Sequence, residues 1–125
     1  MKSKPLTPDQ KIERIEKALH YAGDYHAWPD VQEGLMAGKY QIFDSDDGAC
    51  VTEIIQLPRG RYLNVWIVGG RLPGVMELVP AMIRAARDND CRQLVAFGRR
   101  GWKKVLPEYG WKEIGVVFAK DVTNA

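Results

Sequence analysis

The chain has 125 residues, 46% of them apolar and 27% charged, values that suit one folded domain (residues 1–125) with a real core. Eighteen Lys and Arg against sixteen Asp and Glu leave a formal charge of only +2, which excludes nucleic-acid binding by bulk charge and leaves local basic patches to consider, Arg59 with Arg61 and the run from Arg99 to Lys104. The Met1-Lys2-Ser3-Lys4-Pro5 start has no apolar signal core, no apolar run approaches the ~18 residues of a membrane span, and Cys50 and Cys91 lack metal spacing, so the expectation is a soluble cytosolic protein with reduced, buried thiols.

The first helix has a defined start. Thr7 caps, Pro8 suits the first helical position and Gln10 completes a capping box. Ile12, Ile15, Ala18, Leu19 and Ala22 make one apolar stripe, and Gly23 ends the helix. Trp28-Pro29-Asp30 opens a short second helix carrying Val31, Leu35 and Met36, stopped by Gly38.

A hairpin follows. Tyr40 to Phe43 reads as a strand, Asp44 to Gly48 as a turn, and Ala49 to Leu57 as the return strand. The turn Pro58 to Arg61 leads to Tyr62–Val68, apolar nearly throughout apart from Asn64, as a central strand covered on both faces would be. That strand ends in Gly69-Gly70 and feeds a helix after Gly74 that carries Val75, Leu78, Val79, Met82, Ile83 and Ala86. Pro80 lies inside it, so either its first turn is irregular or the regular helix starts near Val79. Gln93–Phe97 is a short buried strand, expected parallel to the one before the helix. Trp102 to Leu106 reads as a short helix broken by Pro107, and Trp111 to Val122 as a closing strand. The fold class is α/β (α+β), with a mixed sheet of about five strands.

In this order, and in two segments, the chain resembles the GNAT superfamily of N-acetyltransferases. The segments are Ala86-Arg87-Asp88-Asn89-Asp90-Cys91, at the end of the long helix, and Val105-Leu106-Pro107-Glu108-Tyr109-Gly110-Trp111, similar to the family's Tyr-x-x-x-Gly-Phe. It looks most like the short, divergent GNAT-like proteins encoded by tailed bacteriophages near their morphogenesis genes, which carry a stretch similar to Gly98-Arg99-Arg100-Gly101-Trp102. The resemblance implies an acetyl-CoA site at Gly69, Gly70, Arg71 and Gly74, where amides before a helix bind pyrophosphate. It also implies a host-cytoplasmic or virion location, with a phage structural protein as partner.

The chain departs from the family's Arg/Gln-x-x-Gly-x-Gly/Ala turn. Arg71 and Gly74 take the first two motif positions but Met76 replaces the last glycine; the other register places Gly70, Pro73 and Val75 there. Pro73 removes a donor and either bulky residue hinders close backbone approach. A tight strand-to-helix turn explains the glycines equally well. The family's general-acid tyrosine falls on Leu106, while Tyr109 takes a position that packs into the core. The central strand offers no carboxylate, which leaves Glu53 on its neighbour as a weak candidate base.

Other constellations carry less. His20, Asp24 and His26 match no ligand spacing, and Asp44 to Gly48 is a hairpin turn, since Ile55 fills the twelfth position of a calcium loop. Arg99, Arg100, Lys103 and Lys104 around Trp102 offer a platform for an acidic protein face or a nucleic-acid strand. The bland alternative packs Trp102 into the core beneath solvated cations. Trp66 and Trp111 read as core, and Trp28 as an edge anchor for a partner. Two functional readings stand: an acyl-CoA-dependent N-acyltransferase with a divergent pyrophosphate turn, and a GNAT-fold binding or structural protein of phage particle assembly without catalysis. The second is favoured, because the pyrophosphate turn and the acid position are both degraded.

Overall fold

The computed structural model describes residues 4–98 and 100–123, Arg100 through its backbone only. Helix α1, Pro8–Tyr21, starts with the expected capping box: the Thr7 amide donates to Gln10 Oε1 at 2.9 Å and the Gln10 amide to Thr7 Oγ1 at 3.2 Å. Helix α2, Trp28–Met36, begins with Pro29 in its first turn and with the Ala27 amide donating to the Asp30 carboxylate at 2.8 Å. Gly34 of α2 lies under the Tyr40 ring, where any Cβ would collide with it.

Four strands follow the order β1-β2-β3-β4: β1 Gln41–Asp44, β2 Gly48–Leu57, β3 Gly60–Gly70 and β4 Cys91–Ala96. The first three form an antiparallel meander and β4 runs parallel to β3. The crossover is divided into α3, Leu72–Met76, and α4, Val79–Asp88. Pro80 explains the division, since it sits in the first turn of α4, where its missing N–H costs nothing.

The sheet is covered on both faces, as the apolar run of β3 requires. Ile15, Leu19 and Val31 pack on Ala49, Val51 and Ile67 on one side, while Leu78, Met82 and Ala86 pack on Cys50, Leu63 and Val65 on the other. The mixed α+β class therefore holds, with four strands among the described residues rather than about five.

The last part of the chain differs from expectation. The short helix expected over Trp102–Leu106 takes the form of two 3-10 turns, Arg100–Lys104 and Leu106–Tyr109, separated at Val105 before Pro107. Trp111–Val122 forms no strand; Ile114, Val116, Val117 and Phe118 are all exposed. Strand chemistry is present there, but among the described residues no neighbouring strand pairs with it. Tyr109, expected in the core, is also exposed.

Candidate functional site

The central strands part company at one end. β3 and β4 pair from Arg61/Cys91 to Val65/Ala96, after which β3 runs on to Gly70 while the chain leaves β4 at Phe97. Within β3 the pairing to β2 jumps from Val65/Thr52 to Ile67/Val51, so Trp66 is an extra residue at a bulge. A gap beyond the carboxyl ends of parallel strands is a common ligand position in α/β proteins.

The Gly69–Gly74 turn borders this gap, and protein fills its glycine cradles. A Cβ on Gly69 would sit 3.0 Å from the Ile15 nitrogen of α1. One on Gly70, whose φ is +122°, would strike the Asp47 carbonyl and lie 2.6 Å from Gly48 Cα. One on Gly74 would lie 2.5 Å from Asp47 Cβ. The β1–β2 turn thus occupies the concave side of the Gly70–Gly74 segment. Its groups are also bonded there: the Arg71 amide donates to the Asp47 carbonyl at 2.8 Å and the Ser45 hydroxyl to the Gly74 carbonyl at 2.8 Å. The Arg71 side chain is engaged as well, with Nη1 2.9 Å from Asp47 Oδ1 and 3.2 Å from the Lys4 carbonyl. Helix α3 has five residues, with Pro73 in its first turn. These observations do not fit a pyrophosphate cradle, in which amides and a guanidinium face outward.

Next to the turn, α1 and the first 3-10 turn enclose a cleft of about 350 Å³ lined by Arg14, Lys17, Gly69, Gly70, Arg71 and Trp102, among others. It brings together residues from the two expected sites, the cofactor turn and the basic-aromatic run. It also adds Glu13, Arg14 and Lys17 of α1, which lie outside the apolar stripe of that helix. Arg14 is half-buried and has no carboxylate partner among the described residues, whereas Lys17 pairs with Glu13 at 3.7 Å. The signal that could have found Arg14 is its place directly before core residue Ile15.

Trp102 is half-buried in the cleft and lies against Gly98, so it is neither pure core nor an open platform. Lys103 and Lys104 are exposed, Lys103 pairing with Glu113 at 3.4 Å. Arg99 and the Arg100 side chain fall outside the described residues. The Arg59–Arg61 patch lies at the other end of β3, where Arg61 donates to the Asn89 carbonyl and Arg92 to the Arg59 carbonyl. Those contacts tie the hairpin to the end of α4.

Glu53 is half-buried on β2 opposite Asn64, away from the glycine turn. Asn64 Oδ1 is buried without a hydrogen-bond partner among the described residues. His20 faces Asp24 at 2.8 Å while His26 packs edge-on to Trp66, so the three do not converge. Trp28 packs against the core beside α1 rather than standing out as an anchor. Burial pushes the Cys50 thiol up from 9.0 to about 12. The Cys91 thiol is also raised, by burial first and by Asp90, with Arg61 acting the other way. Neither has the depressed value of a nucleophile. Among the described residues, no helix is long and apolar enough to cross a membrane.

No family model matches the chain, and no curated protein matches it in sequence. Solved structures do match. An aminoglycoside N-acetyltransferase, AAC(6')-Iy, in complex with CoA, superposes with a TM-score of 0.62 at 17% identity, over 93% of this chain and 91% of that one. An aminoglycoside acetyltransferase from an uncultured soil metagenomic sample, in complex with sisomicin, gives 0.62 at 11% identity, over 91% and 87%. Glucosamine-6-phosphate N-acetyltransferase from Arabidopsis thaliana gives 0.60 at 12% identity, over 95% and 96%. The divided parallel strands, the bulge and the split crossover are thus set in the GNAT fold of the N-acetyltransferases.

Proposed function

We propose that this chain is a GNAT-fold protein without acetyl transfer, serving as a binding or structural component in the assembly of a tailed-phage particle. The observation that carries the loss of chemistry is the seating of Asp47 and Gly48 against Gly70 and Gly74, with Arg71 held by Asp47. Leu106 at the acid position adds to it, since a hydrocarbon side chain cannot protonate a thiolate. The phage role rests on the resemblance of the Gly98 to Trp102 stretch. Binding is assigned to the ground around Trp102, where Arg14 has no carboxylate partner among the described residues, Glu13 pairs instead with Lys17, and Lys103 and Lys104 are exposed. That chemistry suits an acidic face of a phage structural protein.

The test has two arms. Titration with millimolar acetyl-CoA leaves the melting temperature unchanged, because a ligand that binds only the folded state must raise it. A saturable rise that disappears in Arg71→Ala would overturn the reading. In the second arm, Arg100→Glu with Lys104→Glu abolishes co-purification with assembled particles while the far-ultraviolet spectrum is kept; undiminished co-purification removes the basic ground from the proposal. Loss of binding on adding competing nucleic acid would instead name a nucleic-acid strand as the partner.

A second reading, an acyl-CoA-dependent N-acyltransferase, is favoured by the strand gap, the Trp66 bulge and Asn64 Oδ1, which has no hydrogen-bond partner among the described residues. It requires release of free CoA from acetyl-CoA in the presence of an amine, and a lower rate in Glu53→Gln.

A further inference from the structure

We propose that three exposed arginines, Arg59 and Arg61 of the β2–β3 turn and Arg92 of β4, form a surface that holds the phosphate backbone of a nucleic-acid duplex without reading its sequence. The surface lies at the opposite end of β3 from Gly69 and Gly70. Its failure would therefore leave the reading of the cleft beside Trp102 untouched. Three observations carry it.

The first is how the charges are gathered. Gly60 opens β3 opposite Leu57, and Arg61 is the partner of Cys91, which brings Arg92 against the turn. The Arg92 guanidinium lies over Gly60, where a Cβ would stand 2.8 Å from Nη2 and 3.3 Å from Cζ. Glycine thus leaves room for a third cation beside the two residues, Arg59 and Arg61, that flank it.

The second is how the guanidinium groups are held. Arg92 Nη2 donates to the Arg59 carbonyl at 2.8 Å, Arg61 Nη1 to the Asn89 carbonyl at 3.2 Å, and Arg61 Nε to Gln56 Oε1. Every one of these acceptors is neutral, so direction is fixed while charge is left unbalanced. Among the described residues none of the three arginines has an ion pair, nor have Asp88 and Asp90, whereas Lys11, Arg71 and Lys103 each take a carboxylate. A guanidinium has five donors. Most therefore remain for an outside anion, and their preset direction lowers the entropy lost on binding it.

The third is what surrounds the arginines. Of the exposed large apolar side chains, only Leu57 belongs to the turn or to residues 87–93, and no exposed aromatic ring does. Protein interfaces are built on a buried apolar centre, and single strands are held by stacking on aromatic rings. A duplex backbone needs only cations and hydrogen-bond donors.

Fluorescence anisotropy of the full chain with a labelled mixed-sequence DNA duplex, between about 50 and 200 mM salt, tests this. The logarithm of the association constant should fall against the logarithm of salt concentration with a slope of roughly −2.7, three phosphates at about −0.9 each. A duplex of unrelated sequence should bind within about twofold, because phosphate contacts carry no sequence information. Arg61→Gln with Arg92→Gln should flatten the slope by roughly two, and Arg59→Gln by roughly one. The Arg59 side chain has no hydrogen bond among the described residues, so its loss leaves the turn intact. Lys103→Gln with Lys104→Gln should leave the slope unchanged. Absence of binding at the lowest salt overturns the proposal. So does a slope unmoved by Arg59→Gln and by the arginine pair, or one lost instead with the two lysines. Tighter binding of a single strand, or equal competition by polyglutamate, would name a different partner and also overturn it.

Discussion

The turn after β3 and the chain after β4 leave adjacent parallel strands at the same end of one sheet, and both are punctuated by glycine. In the first, Gly69, Gly70 and Gly74 each lie where a Cβ would press on backbone or side chain of α1 or of the β1–β2 turn. In the second, a Cβ on Gly98 would meet the Trp102 side chain at 3.1 Å, while Gly101, Gly110 and Gly115 have nothing within 4 Å among the described residues. The same residue type thus marks crowding throughout one region and, past Gly98, open backbone in the other. Glycine after a strand is a sign of close approach. Here the approaching groups are Asp47 and Gly48 of the β1–β2 turn and Ile15 of α1.

The largest effect is expected at Gly70. Gly70→Ala combines an unfavourable positive φ with a collision against Asp47 and Gly48 and should cost roughly 3 kcal/mol, read from denaturant unfolding. A loss under about 1 kcal/mol would mean that the β1–β2 turn yields, and the contrast between the two regions would fail with it.

The two cysteines sharpen the same contrast, because Cys50 belongs to the packed part of the sheet and Cys91 to its edge strand. Cys50 is buried, with its thiol raised from 9.0 to about 12 in the folded chain. Its folded value lies above the unfolded one, so its contribution is intact below pH 9 and is lost as pH climbs toward 12. Over that window, with the unfolded thiol ionised and the folded one neutral, stability should fall by about 1 kcal/mol per pH unit from this group. Comparing the pH dependence of unfolding in the parent and in Cys50→Ala isolates the term from tyrosines and lysines. Equal slopes in the two proteins would contradict a neutral, buried thiol.

Much of the fold was legible because its signals are local. The Thr7–Gln10 box, the Pro29 start, the apolar run of β3 and the break at Pro80 each state their structure within a few residues. The end of the chain was not legible for the opposite reason: strand propensity in Trp111–Val122 says nothing about whether a neighbour is present, and ladder bonds need one. At the candidate site, the sequence located Gly69, Gly70, Arg71 and Trp102, which the structure gathers around one cleft. It did not show Asp47, 22 residues before Gly69, because that contact is made by the sheet bringing two turns together.

The smallest expected effect tests the loose side of the comparison. At Gly115, Ala meets open space among the described residues and a φ that needs no glycine, so Gly115→Ala should change stability by less than about 0.5 kcal/mol, the range of a surface substitution. A shift in the denaturant unfolding curve comparable to the Gly70→Ala loss would show that Gly115 is packed, and the distinction between a crowded turn and an open segment would no longer stand.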